Sequence, residues 1–591
     1  MSHLENEKTA HEKRVLAQKL RRVEIEARKK AVRDREPFIG LQIEPTASLE
    51  DDAEDREPGD ENWKGFGFDL HPHVTFLSTF ILVAFILLTL MFKQDAGEFF
   101  KAALGGITST MGWFLILVAN IFILAAAFFA FSRFGRIRIG GKDAKPEFST
   151  PAWYAMLLSA GMGIGLMFWS VGEPMYHYDS PSPMFGNIEA QSPEAAQAAM
   201  GVTYFHWGLH PWAIYAIVGL GLAFFAYNRG LPLTIRSIFY PLLGERIYGF
   251  WGNLIDVLSV LATLVGLATS LGLGVKQINA GLNALFGVGI STTSQVVLIT
   301  VITGFATLSV FAGLDKGVKR LSQANMVLAA IFMLFLLLVG PTIFIFSLFS
   351  QNLGYYLTIF PELALWTETF RETNWQGSWT VFYWAWWISW APFVGMFIAR
   401  ISKGRTVKEF VLGVILIPTL LSFVWMSVFG GSALFLQSHD VVDIVTAVQD
   451  DVATAMFVML ESFPLSQVLS VVAVVLVTIF FVTSSDSGSL VVDHLTSGGK
   501  LDSPTQQRVF WAIMEGLIAA VLLIGGGLST LQTASVSTGL PFALVLLVSV
   551  YSLYVGFSQE LFVEDAVEKA IDKAEEEERL MEAVSSVVEE D

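Results

Sequence analysis

The chain has 591 residues, 53% of them apolar, and a mean hydropathy of +0.56. Apolar runs of about 18 residues or more recur along it, which excludes a soluble globular protein and predicts an all-α polytopic membrane protein. It contains no cysteine, which excludes disulfides and thiolate metal sites. The formal net charge of −17 is unevenly distributed, and the first 60 residues are highly charged, so we expect no cleaved signal peptide.

Both ends of the chain are rich in charge. Residues 1–37 interleave basic and apolar side chains and predict an amphipathic helix, followed by an acidic, disordered segment over 44–61. We assign 1–73 to a cytoplasmic tail. Residues 558–591 hold thirteen acids against three bases and predict an acidic cytoplasmic helix. Either tail could contact anionic lipid, and a solvated tail is the simpler alternative.

Hydropathy predicts twelve membrane-spanning helices between the tails. They fall at about 74–92, 110–132, 152–172, 198–227, 253–280, 296–314, 326–349, 379–399, 410–436, 465–484, 510–526 and 537–557.

The basic residues of the connecting segments predict the orientation. Lys and Arg number seventeen on one side of the membrane and three on the other. By the positive-inside rule, this places both termini in the cytoplasm and the protein in the inner membrane of a prokaryote. We assign 351–377 to the outer face, where Trp366, Phe370 and Trp375 predict a surface amphipathic helix over 361–377.

The third span contains alternate glycines, Gly161, Gly163 and Gly165. Alternate glycines weaken a helix, and a break in a spanning helix exposes backbone groups with which transporters hold anionic groups and Na⁺. Close helix packing is the alternative, whereas a phosphate loop is excluded because the context is an apolar span. Pro392 and Gly395 predict a second break in the eighth span.

The fourth span contains an aromatic and histidine-rich stretch. Trp207, Trp212 and Tyr215 are predicted to form one aromatic arc on the helix. His206 and His210 have the spacing of a metal pair. No third ligand follows nearby, so packed or hydrogen-bonded histidines are favoured.

The eighth span contains five of the chain's sixteen tryptophans. Trp386, Trp387 and Trp390 share one helical face. An interfacial belt of tryptophan would lie at the ends of a span, and these lie in its body. Aromatic cages bind quaternary ammonium groups by cation–π contact, which predicts a cationic substrate. Packing of the bundle is the alternative.

Polar side chains mark a candidate Na⁺ site at the end of the tenth span. Thr483 and Ser484 supply hard oxygen ligands, and Phe480 can add its carbonyl oxygen. Asp486 is predicted to form a structural pair near the cytoplasmic end. Lys276 lies near the outer end of the fifth span, where snorkelling is favoured over a role in a site. Three hydroxyl side chains of that span could face the same cavity: Thr263, Thr269 and Ser270.

The sequence WTVFYWAWW at 379–387, the alternate glycines and the sequence FHWGLHPW together resemble the betaine/carnitine/choline transporter family, over about residues 70–557. The resemblance implies a LeuT-like core of two inverted five-helix repeats, in 151–350 and 378–557, preceded by two further helices in 74–150. It also implies a homotrimer, no catalytic site, no nucleic acid partner, and Na⁺ as the coupling ion with no other cofactor.

The resemblance implies roles for individual residues. A cage for the trimethylammonium group is implied at Trp207, Trp212, Tyr215 and Trp387, with Trp384, Trp386 and Trp390 lining the path. The rest of the substrate site is implied at Gly161, Met162, Gly163, Gly165 and Ser270. One Na⁺ is implied at Ser159, Met162, Phe480, Thr483 and Ser484. A second Na⁺ is implied at Ala160, Thr263 and Phe393. Leu267 stands where the family has a threonine, so this second site is expected to be incomplete.

The implied function is import of a compatible solute, glycine betaine first, by Na⁺ symport in the osmotic-stress response. Gly165 resembles the betaine-type members, because proton-coupled choline-type members carry an aspartate there. Leu267 keeps open a proton-coupled choline or betaine symporter and a Na⁺-independent carnitine-type exchanger. A channel would need rings of carbonyls or charges along a pore, and no catalytic triad or set of metal ligands for a membrane enzyme stands out.

Overall fold

The computed structural model describes residues 16–27, 29–31, 57–161, 163–311, 315–370 and 373–590, and their regular structure is almost entirely helical. Strands β1 (Trp63–Gly65) and β2 (Phe68–Leu70) form an antiparallel hairpin. The long helices are α1 (Pro72–Met91), α2 (Lys93–Phe131), α3 (Thr150–Gly161), α4 (Ile164–Asp179), α5 (Pro193–Trp207), α6 (Leu209–Arg229), α7 (Phe250–Phe286), α8 (Thr292–Phe311), α9 (Asp315–Val339), α10 (Thr342–Leu365), α11 (Thr380–Ile401), α12 (Val407–Ser438), α13 (Ser466–Thr496), α14 (Thr505–Gly526) and α15 (Leu528–Glu590). Short helical segments lie between them at Arg133–Arg136, Pro183–Phe185, Ile235–Phe239, Tyr240–Leu243, Gly244–Tyr248, Trp375–Ser378, Ile444–Asp451, Val452–Thr454 and Ala455–Leu460.

The helices confirm an all-α polytopic membrane protein. Within the described residues, twelve helical segments are long and apolar enough to cross a membrane when α5 and α6 are counted as one, and the bent pair of α3 and α4 would add one more. The predicted span at 326–349 is wrong, because α9 ends at Val339 and α10 begins at Thr342. Pro341 lies between them and cannot donate to a helical hydrogen-bond ladder. α10 is therefore the helix that no predicted span anticipates.

The predicted break in the third span is confirmed. α3 ends at Gly161, and the chain bends by 61° before it continues in α4. Gly163 caps the start of α4 with an extended backbone conformation. Met162, which was predicted to bind both substrate and Na⁺, lies outside the described residues.

The tryptophan-rich helix α11 lies at the centre of the bundle, packed against α6, α7 and α15. The predicted break at Pro392 and Gly395 is wrong, because α11 is one continuous helix with Pro392 inside it. Dense packing on several sides holds the helix together despite the lost hydrogen bond. A Cβ on Gly395 would lie 2.6 Å from Val218 of α6, so this glycine permits a close helix contact and does not mark an unwound segment.

The predicted surface helix over 361–377 is also wrong. α10 continues to Leu365, and a loop then leads into a helix of four residues. The Glu368 carboxylate accepts backbone N–H groups beyond the loop, including that of Gln376 at 2.9 Å. Trp375, next to this bond, is buried, whereas Phe370 in the loop is exposed.

The two tails meet on one side of the bundle. The predicted helix over 558–591 is the continuation of α15, which reaches Glu590. Of the predicted helix over 1–37, the structure describes residues 16–27 and 29–31, which are helical. Of the acidic segment 44–61, residues 44–56 lie outside the described residues. Three ion pairs join the end of α15 to the rest of the chain: Lys19–Glu578 at 2.5 Å, Arg136–Asp565 at 2.5 Å and Arg229–Glu560 at 2.9 Å.

The β-hairpin before α1 was not predicted, and a buried contact ties it to the end of α13. Lys500 Nζ lies 2.6 Å from Asp69 Oδ2. Burial raises the pKa of Asp69, but hydrogen bonds from Lys500 and Asn62 outweigh it, so the pKa lies below its ordinary value. The hairpin therefore stays ion-paired at neutral pH.

Candidate functional site

A cavity of about 40 Å³ lies beside the break between α3 and α4. One wall is the backbone of Gly161, Gly163 and Gly165, and the opposite walls are aromatic. The aromatic walls come from α5, α6 and α11: Trp207, Trp212, Tyr215, Trp386, Trp387 and Trp390. Ser270 of α7 also lines it. The structure thus brings together all the described residues predicted for the substrate, except Trp384.

The rings form a box. Trp386 and Trp387 stack with their centroids 4.6 Å apart and their planes 16° apart. The ring of Trp207 is edge-on to that of Trp387, with a centroid distance of 4.9 Å and an interplanar angle of 72°. The ring of Tyr215 is also edge-on to Trp387, with a centroid distance of 6.5 Å and an interplanar angle of 80°. Trp212 meets Tyr215 at 5.4 Å and 80°. Ring faces at right angles to one another can surround a compact cation on several sides, which is the geometry that cation–π recognition needs.

The glycines set the width of this box. A Cβ on Gly165 would lie 2.9 Å from Trp386 and 3.0 Å from Trp207, and one on Gly161 would lie 3.0 Å from Trp212. A side chain at either position would push the rings away. Gly163 differs, because a Cβ there would meet no atom within 4 Å. Gly163 therefore leaves empty space in the cavity, whereas the other two glycines allow close contact.

The fourth predicted span is interrupted within its aromatic stretch. α5 ends at Trp207 and α6 begins at Leu209, with Gly208 between them. A Cβ on Gly208 would lie 2.5 Å from the carbonyl oxygen of Tyr204 and 3.0 Å from Phe423, so only glycine fits. The prediction of an aromatic arc assumed one regular helix. Trp207, Trp212 and Tyr215 still lie together because α5 and α6 both face the same cavity.

Glu173 is a functional residue that the sequence analysis did not identify. It lies inside α4 and is completely buried. Its Oε2 accepts the indole N–H of Trp207 at 2.7 Å and the hydroxyl of Tyr383 at 2.5 Å. Its Oε1 accepts from Nδ1 of His206 at 2.6 Å. A single carboxylate thus holds one wall of the cage. The signal in the sequence was an acid within an otherwise apolar span.

The two histidines of α5 and α6 have different surroundings. His206 Nε2 lies 3.0 Å from the hydroxyl oxygen of Thr380, and the carbonyl oxygen of His206 accepts the indole N–H of Trp387 at 3.2 Å. His210 instead lies 3.1 Å from Asn120 Oδ1 and stacks on Trp384 with centroids 4.6 Å apart. The two do not form the metal pair that their spacing allows. Trp384 packs with His210 and does not line the cavity.

A second, wider cavity of about 220 Å³ adjoins the first. We call it the vestibule. Ala160 and Trp390 line both cavities, so the two are contiguous. The described residues predicted for the first Na⁺ site all line the vestibule: Ser159, Phe480, Thr483 and Ser484. On the opposite side, which we call the closed side, buried residues of α4 and of the start of α11 pack behind Trp207, among them Glu173 and Tyr383.

The residues predicted for the second Na⁺ site are not brought together. Ala160 and Phe393 line the vestibule, but Thr263 lines neither cavity. The Thr263 hydroxyl donates to the carbonyl oxygen of Ser259 in its own helix at 2.7 Å. Leu267 packs on α13, where it would lie 2.4 Å from a Cβ on Gly488. Neither Thr263 nor Leu267 therefore lines a cavity in which an ion could lie.

Three other polar residues have structural contacts. Thr269 donates to the carbonyl oxygen of Leu531 at 3.2 Å and so joins α7 to α15. Lys276 lies 3.7 Å from Asp451 in an ion pair, which replaces the predicted snorkelling. Asp486 lies 3.4 Å from Arg508, as expected for a structural pair.

These features define a polytopic helical membrane protein with a buried aromatic binding cavity beside a broken helix. The family model of the betaine/carnitine/choline family transporters matches residues 73–562. The chain is 47% identical to a glycine betaine/proline/choline transporter of Vibrio parahaemolyticus, over 84% of this chain and 91% of the relative. It is 48% identical to glycine betaine transporter 1 of the same organism, over 86% of this chain and 98% of the relative. A glycine betaine transporter of Bacillus subtilis is 44% identical, over 78% and 89%.

The chain belongs to the betaine/carnitine/choline transporter family. It is therefore a multi-pass membrane transporter and not an enzyme.

Proposed function

We propose that the protein imports glycine betaine together with Na⁺. The observation that carries this proposal is the cage, because its two walls match the two ends of a zwitterion. The trimethylammonium group would lie among the faces of Trp207, Trp387 and Tyr215 and gain cation–π attraction. The carboxylate would face the N-terminus of α4 at Gly163, where free backbone amides and the helix dipole favour an anion.

The family relatives support the choice of substrate. The relatives named above carry glycine betaine in their names, and one name adds proline and choline. Gly165 favours betaine for this chain, because it leaves the backbone wall of the cage uncharged. A substrate with its own carboxylate needs no anionic side chain at this position to balance its positive charge. Choline has no carboxylate, so an anionic side chain here would strengthen its binding.

The vestibule supports Na⁺ as the coupling ion. Thr483 and Ser484 line it from α13, opposite Ser159 of α3, and hydroxyl and carbonyl oxygens are the ligands that hard cations prefer. A Na⁺ held between α3 and α13 would tie the broken helix to the bundle and stabilise the substrate-loaded form. Since Thr263 and Leu267 face away from the cavity, we propose one coupled Na⁺ and not two.

Direction, assembly and physiological role follow from the charge pattern and the family. We propose that both termini are cytoplasmic, so that the vestibule opens inward, and that uptake serves the response to osmotic stress. The two inverted repeats and the homotrimer are proposed from the family resemblance. Of the two predicted helix breaks, only that between α3 and α4 supports the repeats, because α11 is continuous. Contact of the charged tails with anionic lipid is a further proposal.

The proposal is tested by uptake of radiolabelled betaine into proteoliposomes on which Na⁺ and pH gradients are imposed separately. Accumulation driven by a Na⁺ gradient alone is expected. Accumulation driven by a pH gradient in K⁺ medium would favour the proton-coupled alternative. Exchange that requires internal substrate but no Na⁺ would favour a carnitine-type exchanger. Competition by choline, proline and ectoine in the same assay ranks the substrates.

A further inference from the structure

A cluster of three metal-binding side chains covers the closed side of the cage. Glu173 and His177 are four residues apart on α4, and His206 is at the end of α5. One ligand atom from each lies within 4.8 Å of the others. Glu173 and His206 are fully buried, and His177 is 1% exposed. Sequence reasoning paired His206 with His210 and left Glu173 and His177 out.

His177 is the part of this cluster that hydrogen bonding does not explain. Neither of its ring nitrogens has a hydrogen-bond partner within the described part of the chain. Burying polar nitrogens without partners costs free energy. The Nε2 atom lies 3.7 Å from Glu173 Oε1, too far for a hydrogen bond but on the same side as Nδ1 of His206. A ligand that accepts an electron pair, such as a metal ion, would satisfy the Nε2 atom.

We propose that Glu173, His177 and His206 form a site for a divalent transition metal, Zn²⁺ in the first place. Two histidines and one glutamate are a ligand set of zinc sites that keep a fourth position open. Tetrahedral zinc places its ligand atoms roughly 3.3 Å apart. Glu173 Oε1 lies 2.6 Å from His206 Nδ1 and 3.7 Å from His177 Nε2. One distance is shorter and the other longer than the spacing in a tetrahedral zinc site.

The residues around Glu173 and His206 already hold these two ligands as a zinc site requires. Glu173 Oε2 is occupied by Trp207 and Tyr383, which leaves Oε1 for the metal. His206 Nε2 lies 3.0 Å from Thr380, so the ring can bind metal through Nδ1 while its Nε2–H donates to that hydroxyl. Such outer partners fix the tautomer and orientation of a ligating histidine. A shift of the His206 proton from Nδ1 to Nε2 is the only protonation change that binding needs when both rings are neutral.

A metal here would act on transport through the closed side of the cage. His177 lies under Trp379, with ring centroids 4.4 Å apart, and 5.4 Å from Trp375. These rings cover the cluster, so the ion enters when this side opens, which we expect to happen more often during turnover than at rest. Once bound, it would bridge α4 and α5 and hold the side closed. We therefore expect Zn²⁺ to inhibit uptake, and to do so faster during turnover than at rest.

The experiment combines binding with inhibition. Purified transporter is titrated with Co²⁺, whose visible absorption is strong in tetrahedral sites, and uptake is measured against buffered free Zn²⁺. His177→Asn is expected to remove the tetrahedral spectrum and raise the half-inhibiting Zn²⁺ concentration at least about tenfold. His177→Cys keeps a zinc ligand and is expected to retain both signals.

His494 provides a matched control. It is also buried with both ring nitrogens unpartnered within the described residues, but it lies on α13, outside the cluster. His494→Asn is expected to leave the Co²⁺ spectrum unchanged. Absence of a tetrahedral spectrum in the wild-type protein would overturn the proposal, as would a spectrum that survives His177→Asn. The spectrum requires no transport, so these results do not depend on the proposed substrate.

Discussion

The indole N–H of Trp207 donates to the carboxylate of Glu173 at 2.7 Å, in the interior of the bundle. Through this bond, an acid that touches no part of the cavity fixes the orientation of a ring that does. The same carboxylate oxygen accepts the hydroxyl of Tyr383 on α11. Glu173 therefore joins α4, α5 and α11 at the cage, and its charge is compensated by donors instead of a salt bridge to Lys or Arg.

Glu173→Gln tests this positioning role. The amide nitrogen of Gln cannot accept a hydrogen bond, so at least one of the three donors loses its acceptor, at a cost of about 1–3 kcal/mol. We expect betaine binding to weaken by about tenfold, measured by quenching of tryptophan fluorescence. Tyr383→Phe keeps the bond between Glu173 and Trp207 and is expected to have the smaller effect. Equal affinity in the wild type and Glu173→Gln would mean that the cage does not depend on this acid.

Gly163→Leu tests the backbone wall of the cavity. Because nothing lies within 4 Å of a Cβ at Gly163, the leucine side chain should enter the empty space without disturbing the fold. We expect uptake to be lost while the protein remains in the membrane at normal abundance. Gly304→Leu in α8 is the control, since a Cβ there also meets nothing within 4 Å but lies outside the cavity. Normal uptake by Gly163→Leu would show that substrate does not approach this glycine.

Gly395→Leu tests the continuity of α11. A Cβ at Gly395 would already lie 2.6 Å from Val218, so the larger side chain must force α11 and α6 apart. Overpacking of this kind costs about 1–3 kcal/mol. We expect a lower melting temperature in detergent than for Gly304→Leu. A melting temperature equal to that of the wild type would indicate that the chain around Gly395 is open, as the sequence had suggested.

The Na⁺ site is tested by replacing Thr483 and Ser484 together with alanine. Loss of both vestibule hydroxyls should abolish Na⁺-dependent uptake. In the wild type, we expect a Hill coefficient for Na⁺ of about one, because we propose one coupled Na⁺. Thr263→Val should leave the Na⁺ dependence unchanged, since that side chain lines neither cavity. A steep wild-type Na⁺ curve that Thr263→Val flattens would instead establish a second site.

The sequence predicted the helical spans and most of the cage because both depend on local patterns. Apolar runs mark spans, and the tryptophans of α11 share a face at helical spacing. The break at Gly161–Gly163 was also predictable, since alternate glycines weaken a helix wherever they occur. The local pattern gave a wrong prediction at Pro392, where a helix break was expected. The packing of neighbouring helices keeps α11 intact there.

The polar network behind the cage could not be predicted in the same way. Glu173, His206 and Tyr383 lie on three different helices, and their spacing in the sequence does not predict that the Glu173 carboxylate bonds to the other two. Leu267 predicted an incomplete second Na⁺ site from its identity alone. That Thr263 also lines neither cavity depends on how α7 packs, which the sequence does not predict.

The most direct test of the account is whether the cage recognises positive charge. Betaine is compared with its carbon isostere, in which a tert-butyl group replaces the trimethylammonium group and the carboxylate is kept, by calorimetric binding to the purified protein. We expect betaine to bind more tightly by about 2 kcal/mol, roughly a 30-fold difference in Kd, because only the cation gains cation–π attraction. Trp387→Leu keeps the site apolar and should reduce this difference several-fold. Equal binding of the two ligands by the wild-type protein would contradict the central claim.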